Sequence, residues 1–508
     1  MATATTTPVS TEVAKPVSIL SELAYPAALL GSLSMWFLAI RAPLWLDETL
    51  AYWQVSGGFA KVWSRSALMP SSIGYLYTLW FAKTILGSSE IALKIPSTLA
   101  MAGAVYFLFR AARELYDQET AFIACIFFAL TYNVVFAATD ARPYAFALLA
   151  TNFATLAFIR WMAQPQMRRA ILFGAAAAGI LYFHYLFAAI LPAFAIYYLA
   201  ARGRFIKADL RQLAGVLTSF IMVSLPLAYR VASLYHTRET HVVQAMPHPV
   251  LTALNTLAPL QLLIGFVITA FLAALIRKVK FPGREDFPAI LLGPLLALVP
   301  IAVFLAVSAV TPVRLVIPRY LTVIAPGSAL TWALLTRWID SPVLRKIFCV
   351  GLVAITMFEA YPSPLSRRHA INFKQVHAFV DENVGGDRGK GEVPVLECSA
   401  FIESDFEPMP IDRHSENALL SQVDYYPIKA PVVMLPMDLD EQTIRIVSQT
   451  MLSAQQRGQR FLVVAPPTSL PTVKWLLSYS GGAFTDHLVG EFNEGIIVVE
   501  FRPIAEGS

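Results

Sequence analysis

Long apolar runs dominate the first two-thirds of the chain. Leu23–Ile40, Ala121–Ala138, Ile290–Val310 and Leu344–Ala360 each approach the roughly 20 residues that a helix needs to cross a hydrocarbon core about 30 Å thick. Beyond residue 361 the pattern changes to short alternating runs: VPVLECSA (393–400), PVVML (431–435), RFLVVAP (460–466) and GIIVVEF (495–501). These predict strands, and Glu441–Arg457 between them predicts a helix ending at Gly458. The pattern therefore predicts a mostly α, polytopic helical membrane domain over 23–361 and a small C-terminal α/β domain over 362–508. Residues 1–22, small and polar and without a secretory cleavage pattern, read as a disordered cytosolic tail.

Composition agrees. Of 508 residues, 56% are hydrophobic and only 14% charged, where soluble domains carry about 25%. The net charge of +5 needs no nucleic acid, because the basic residues cluster in short loops. These are Arg110/Arg113, Arg168/Arg169, Arg202/Arg204/Lys207/Arg211, Arg277/Lys278/Lys280/Arg284 and Arg337/Arg345/Lys346. Positive loops stay cytosolic, and that decides the status of SSIGYLYTLWFAKTILG (71–87). If it crossed, Arg110 and Arg113 would fall outside, so it reads as a juxtamembrane or re-entrant helix within a first outer loop, 41–90. The run 170–201 is short for two crossings, yet a single one breaks the charge pattern, so it is read as two with a turn near 184–188. The scheme has about eleven crossings, with the N-terminus cytosolic and the C-terminal domain extracytoplasmic. The three cysteines are scattered and suggest no disulfide or metal framework.

Sorting polar residues by side brings one set together at the outer face. LWLDE places Asp47 and Glu48 there, ATDARPY adds Asp140, Arg142 and Tyr144, YFHYLF adds His184, and TPVRLVIPRY adds Arg314, Arg319 and Tyr320. The loop YHTRETHVVQ contributes His236, Arg238, Glu239 and His241, and Lys83 sits in the juxtamembrane stretch. Each has a plainer reading. Asp47 and Glu48 could cap a helix beginning at Thr49, Asp140 could cap the one opening at Pro143, Arg314 could snorkel, and His184 could be a packed ring. Charged groups near hydrocarbon cost free energy, so their gathering on one face suggests a site. A carboxylate can deprotonate an acceptor hydroxyl, and guanidinium groups can hold a departing phosphate. A lipid-linked phosphosugar would use both, and no glycine-rich nucleotide loop precedes the membrane region. A divalent metal ion stays open, with Glu48, His236 and His241 as candidate ligands; no other cofactor is indicated.

The series LWLDE, ALKIPSTLAMAGAVYFLFRAARELYDQETAFIACIFFAL, DARPYAFALL, LYFHYLF and PRYL resembles the bacterial branch of the GT-C glycosyltransferases. These are relatives of protein O-mannosyltransferases and of the aminoarabinose transferase acting on lipid A. The likeness covers most of 23–335, and INFKQVHAFVDENV (371–384) resembles the start of the family's extracytoplasmic region. It implies an inverting transferase in a bacterial inner membrane, moving a sugar from a polyprenyl-phosphate donor to a lipid, glycan or protein acceptor. It also implies Asp47 as general base, Glu48 in a supporting or metal-contacting role, and Asp140 as the second outer acid. Arg142, Arg319, Tyr320, Tyr144, His184 and Lys83 are then candidates for phosphate or acceptor binding. A lipid or sugar transporter would instead want ionisable residues in mid-span and internal repeats. A sensor or assembly protein would bind its partner through the C-terminal domain alone.

Overall fold

The computed structural model describes residues 19–68, 72–201, 209–229, 248–280, 287–311, 313–360, 373–384, 393–401, 411–412, 417–437, 439–480, 483–492 and 495–504. The loop carrying His236, Arg238, Glu239 and His241, most of the N-terminal tail, and the basic residues Arg202, Arg204, Lys207 and Arg284 lie outside these.

Helix α1 (Ile19–Ala39) is the first apolar run. A connector leads to the short α2 (Leu46–Ser56), then α3 (Phe59–Leu68) and α4 (Ile73–Leu86). With 14 residues, α4 is too short to cross as a straight helix. Helix α5 (Glu90–Leu115) starts cleanly because the Ser89 side chain accepts from the Ala92 amide.

The run Ala121–Ala138, expected as one span, is broken. Helices α6 (Gln118–Leu130) and α7 (Tyr132–Ala138) meet at 75°. Between them Thr131 is extended, and its hydroxyl donates to the Phe127 carbonyl, replacing part of the helical ladder. Helix α8 (Tyr144–Ala163) is followed by α9 (Met167–Phe183), a 3-10 segment Tyr185–Ile190 and α10 (Leu191–Ala201). His184, also extended, breaks 170–201 into separate helical stretches.

Four described helices are long and apolar enough to cross a membrane, or up to six if each bent pair counts once. They wear apolar residues outside. Of the Leu210–Leu227 window only 11% is buried, and Leu217, Ile221 and Met222 face outward. A surface this apolar matches a lipid environment. Where helices meet, small residues let backbones close up: a Cβ on Gly327 would lie 2.3 Å from the Ala297 amide nitrogen.

The C-terminal region carries one six-stranded sheet in the order β2-β3-β1-β4-β6-β5. Strands β1 (Val395–Cys398), β3 (Val432–Leu435) and β4 (Phe461–Ala465) are parallel, and β6 (Ile497–Pro503) runs antiparallel to β4. These are the four strands that the apolar alternation predicts. The helix Glu441–Arg457 is present, with Gly458 at φ +60 as its left-handed cap. Two edge strands, β2 (Ile411–Asp412) and β5 (Phe484–Glu491), were not expected. β5 is largely solvent-facing and polar, so its alternation is faint.

Helix α2 is the seam between the two parts. Leu46, Leu50 and Trp53 belong to the apolar core of the sheet domain, while Ala51 and Val55 belong to that of the helical body. The Tyr426 hydroxyl donates to Glu90 (2.7 Å) at the start of α5 and accepts from the Leu44 amide (2.8 Å) just before α2.

Candidate active site

Three elements converge at the start of α2. Trp45 is its extended N-cap, and Asp47 and Glu48 occupy its first turn. Glu48 reaches back to accept from the Trp45 amide at 3.1 Å. Neither acid is the N-cap of a helix beginning at Thr49: the helix begins at Leu46, Glu48 closes a capping box from its third position, and Asp47 faces another way.

Asp47 points to the two arginines. Its Oδ2 lies 2.9 Å from Arg319 Nη1 and 3.4 Å from Arg142 Nη2, and its backbone carbonyl accepts from Arg142 Nη1 at 3.0 Å. Arg142 comes from the turn between α7 and α8. Arg319 comes from the segment before the 3-10 turn Tyr320–Ile324, which the Asn133 amide ties to α7 through the Pro318 carbonyl at 2.7 Å. Burial is the largest single influence and opposes the charge on both guanidinium groups, but Asp47 together with neighbouring tyrosines offsets it and leaves their pKa values above the ordinary one. The Nε atoms of Arg142 and Arg319 are buried and have no hydrogen-bond partner.

His184 completes this side. Its ring sits 5.0 Å from that of Tyr144 and 6.2 Å from that of Tyr320, with Nδ1 buried and unpartnered. Tyr320 in turn stacks under Arg319, 5.4 Å from its charge. Burial, reinforced by Arg142 and Arg319, pushes the His184 pKa down to about 3. The unfolded chain takes up this proton from about pH 6.5 and the folded chain only near 3, so His184 removes stability progressively as pH falls through that window. Replacing His184 by Gln is expected to shallow the loss of thermal stability between about pH 6 and pH 4. An unchanged acid limb in calorimetry would show that the ring protonates within the fold.

Glu48 and Asp140 lie behind Asp47, wholly shut from solvent. Glu48 Oε1 accepts from the Ala141 amide at 2.6 Å, and Asp140 is close enough to act on its charge. Asp140 Oδ1 accepts from the Trp45 indole at 2.9 Å. Asp140 does not cap α8, whose N-cap is Pro143 without a side-chain bond. Burial raises the Glu48 pKa well above the carboxylate range; Lys94 opposes this and Asp140 adds to it. Lys94, fully buried on α5, was not singled out in the sequence because it sits inside an apolar helical run. Its ammonium is 3.8 Å from Glu48.

Two candidates stand apart. Lys83 lies over the Tyr52 ring at 5.9 Å and beside Arg65, which with burial lowers its pKa. Arg314 donates to the Ser308 carbonyl at 2.5 Å. Among the described residues no group of three His, Cys, Asp or Glu could hold a metal ion, and His236 and His241 lie outside them.

The family model for dolichyl-phosphate-mannose-protein mannosyltransferase matches residues 70–229. The fold matches that of ArnT from Cupriavidus metallidurans in the apo state, with TM-score 0.53 and 10% identity over 94% of this chain and 97% of that one. The same protein bound to undecaprenyl phosphate gives TM-score 0.50 and 12% identity over 96% and 99%. The Archaeoglobus fulgidus oligosaccharyltransferase tethered with an acceptor peptide is more distant, at TM-score 0.46 and 12% identity over 88% and 69%. No curated protein matches the sequence. The likeness in sequence to the mannosyltransferase family model thus runs over 70–229, and the likeness in fold to ArnT runs along nearly the whole chain.

Proposed function

We propose that the chain is a membrane glycosyltransferase that moves a sugar from a polyprenyl-phosphate donor to a lipid, glycan or protein acceptor. The observation that carries this reading is the net-positive set around Asp47. Two half-buried guanidinium groups share one carboxylate and keep buried, unpartnered Nε atoms beside a neutral His184 with an unpartnered Nδ1. That set suits an anion, and a phosphate diester can take both arginines.

The chemistry follows. The acceptor oxygen attacks the anomeric carbon, Asp47 takes its proton, and the bond from that carbon to the phosphate oxygen breaks with inversion. Arg142 and Arg319 take up the charge that develops on the leaving polyprenyl phosphate. The donor phosphate competes with Asp47 for the same guanidinium groups, so its arrival loosens the ion pairs and frees the carboxylate to act as base. Glu48 and Asp140 hold Asp47 rather than touch substrate, because both are sealed behind it. His184, Tyr144 and Tyr320 form the wall of the phosphate site.

The apolar helices, the basic loops and the separate sheet domain support a bacterial inner-membrane protein with Asp47 and the C-terminal domain at the outer face. The experiment is mass spectrometry of envelope lipids and glycans from cells with and without the gene. One glycan or lipid species lacking a single sugar is expected, and identical profiles together with no lipid-phosphate binding by the purified protein would refute the reading.

A further inference from the structure

The connector between α1 and α2 decides where Asp47 sits, yet it has little structure of its own. Residues 40–45 form a turn and an extended stretch whose own backbone bonds are few: Ile40 to Trp36 and Ala42 to Ala39. Side chains from elsewhere fix the rest. Tyr426 binds the Leu44 amide, Asp140 binds the Trp45 indole, and the Lys94 ammonium donates to the Ala42 carbonyl at 2.5 Å. The same ammonium reaches Glu48, the residue after Asp47. Lys94 thus holds the chain on both sides of the acid from one point on α5.

Stability does not account for a lysine here. Removing an ammonium from water carries a large desolvation penalty, and buried ion pairs are often replaced by apolar residues of similar volume without loss of stability. Lys94 cannot touch substrate either, since its side chain is sealed beneath α2 while Asp47 alone keeps a solvent-facing edge. We propose that Lys94 is a positioning residue: through the Ala42 carbonyl and the Glu48 carboxylate it sets the place of Asp47 between Arg142 and Arg319. The catalytic consequence rests on Asp47 being the base; the structural consequence does not.

The test uses the full-length purified chain and three variants. Lys94→Met removes the ammonium, Lys94→Met with Glu48→Gln removes both charges so that no uncompensated carboxylate is left, and Lys94→Arg restores a donor. Hydrogen exchange is read over residues 40–50, with 144–163 and 461–465 as references, alongside undecaprenyl phosphate binding. In the double variant the thermal midpoint and lipid-phosphate affinity should stay near wild type, while exchange over 40–50 rises about tenfold or more and the reference helix and strand stay protected. Sugar transfer should fall by up to roughly 10²-fold, the cost of misplacing a reacting group by about 1 Å. Lys94→Arg should recover part of both. Unchanged exchange over 40–50 in the double variant, or an equal rise everywhere, would overturn the proposal. If the wild type binds no undecaprenyl phosphate, the functional reading fails, while the exchange data still decide the role of Lys94.

Discussion

Asp47→Asn is expected to lower sugar transfer by roughly 10²–10⁴-fold, the usual worth of a positioned general base. The substitution keeps shape and both arginine contacts in weaker form, so the protein should fold and insert normally. What it removes is the negative charge and basicity that let the side chain take the acceptor proton. Asp47 is also the one carboxylate of the three that solvent reaches, at 17% side-chain exposure against none for Glu48. Lipid-phosphate binding should persist or tighten, because the guanidinium groups are no longer shared with a full negative charge. Transfer measured in membranes, with lipid-phosphate binding measured in parallel, decides the matter. Near-normal transfer would remove Asp47 from the mechanism.

Arg319→Met should weaken binding of undecaprenyl phosphate by roughly 10–100-fold, since a hydrogen bond to a charged group is worth about 1.5–3 kcal/mol and about 1.4 kcal/mol is a factor of ten. Arg319 is the cleaner of the two arginines to change. Arg142 also grips the Asp47 carbonyl, so its loss would move the acid as well as empty the phosphate site. A lysine at 319 should recover only part of the affinity, because one ammonium cannot reproduce the planar fork or the stacking on Tyr320. Titration of the lipid at two salt concentrations should show a shallower salt dependence for the variant. Equal affinities would place the phosphate elsewhere.

Much of the site was legible because loop charge gave an expected side by which to group the polar residues. Once the basic loops were assigned to one side, Asp47, Asp140, Arg142, His184 and Arg319 fell on the other, and the fold brings all five together. The division of labour among the acids was not legible. Asp47 and Glu48 are neighbours in sequence, and which one turns outward depends on helix phase and on where α2 begins. Trp45, rather than either acid, is the cap, and that rotation sends Glu48 inward to Ala141 and Asp140. Lys94 was hidden for a related reason. Within an apolar run a lysine looks like an interruption until a carboxylate and a carbonyl from distant segments are seen at its tip.

The sequence by itself determined the broad plan of the molecule: long apolar runs followed by a strand-rich tail. Those are properties of composition and period, which hydrophobic burial and loop charge read out locally. Only the tertiary structure decided that α2 is wedged between the helical body and the sheet domain, with Trp53 in one core and Val55 in the other. It also decided that Asn133 delivers Arg319 and that Lys94 braces the acid from behind. Each of those contacts joins residues far apart in the chain, and their pairing is fixed by how whole helices pack.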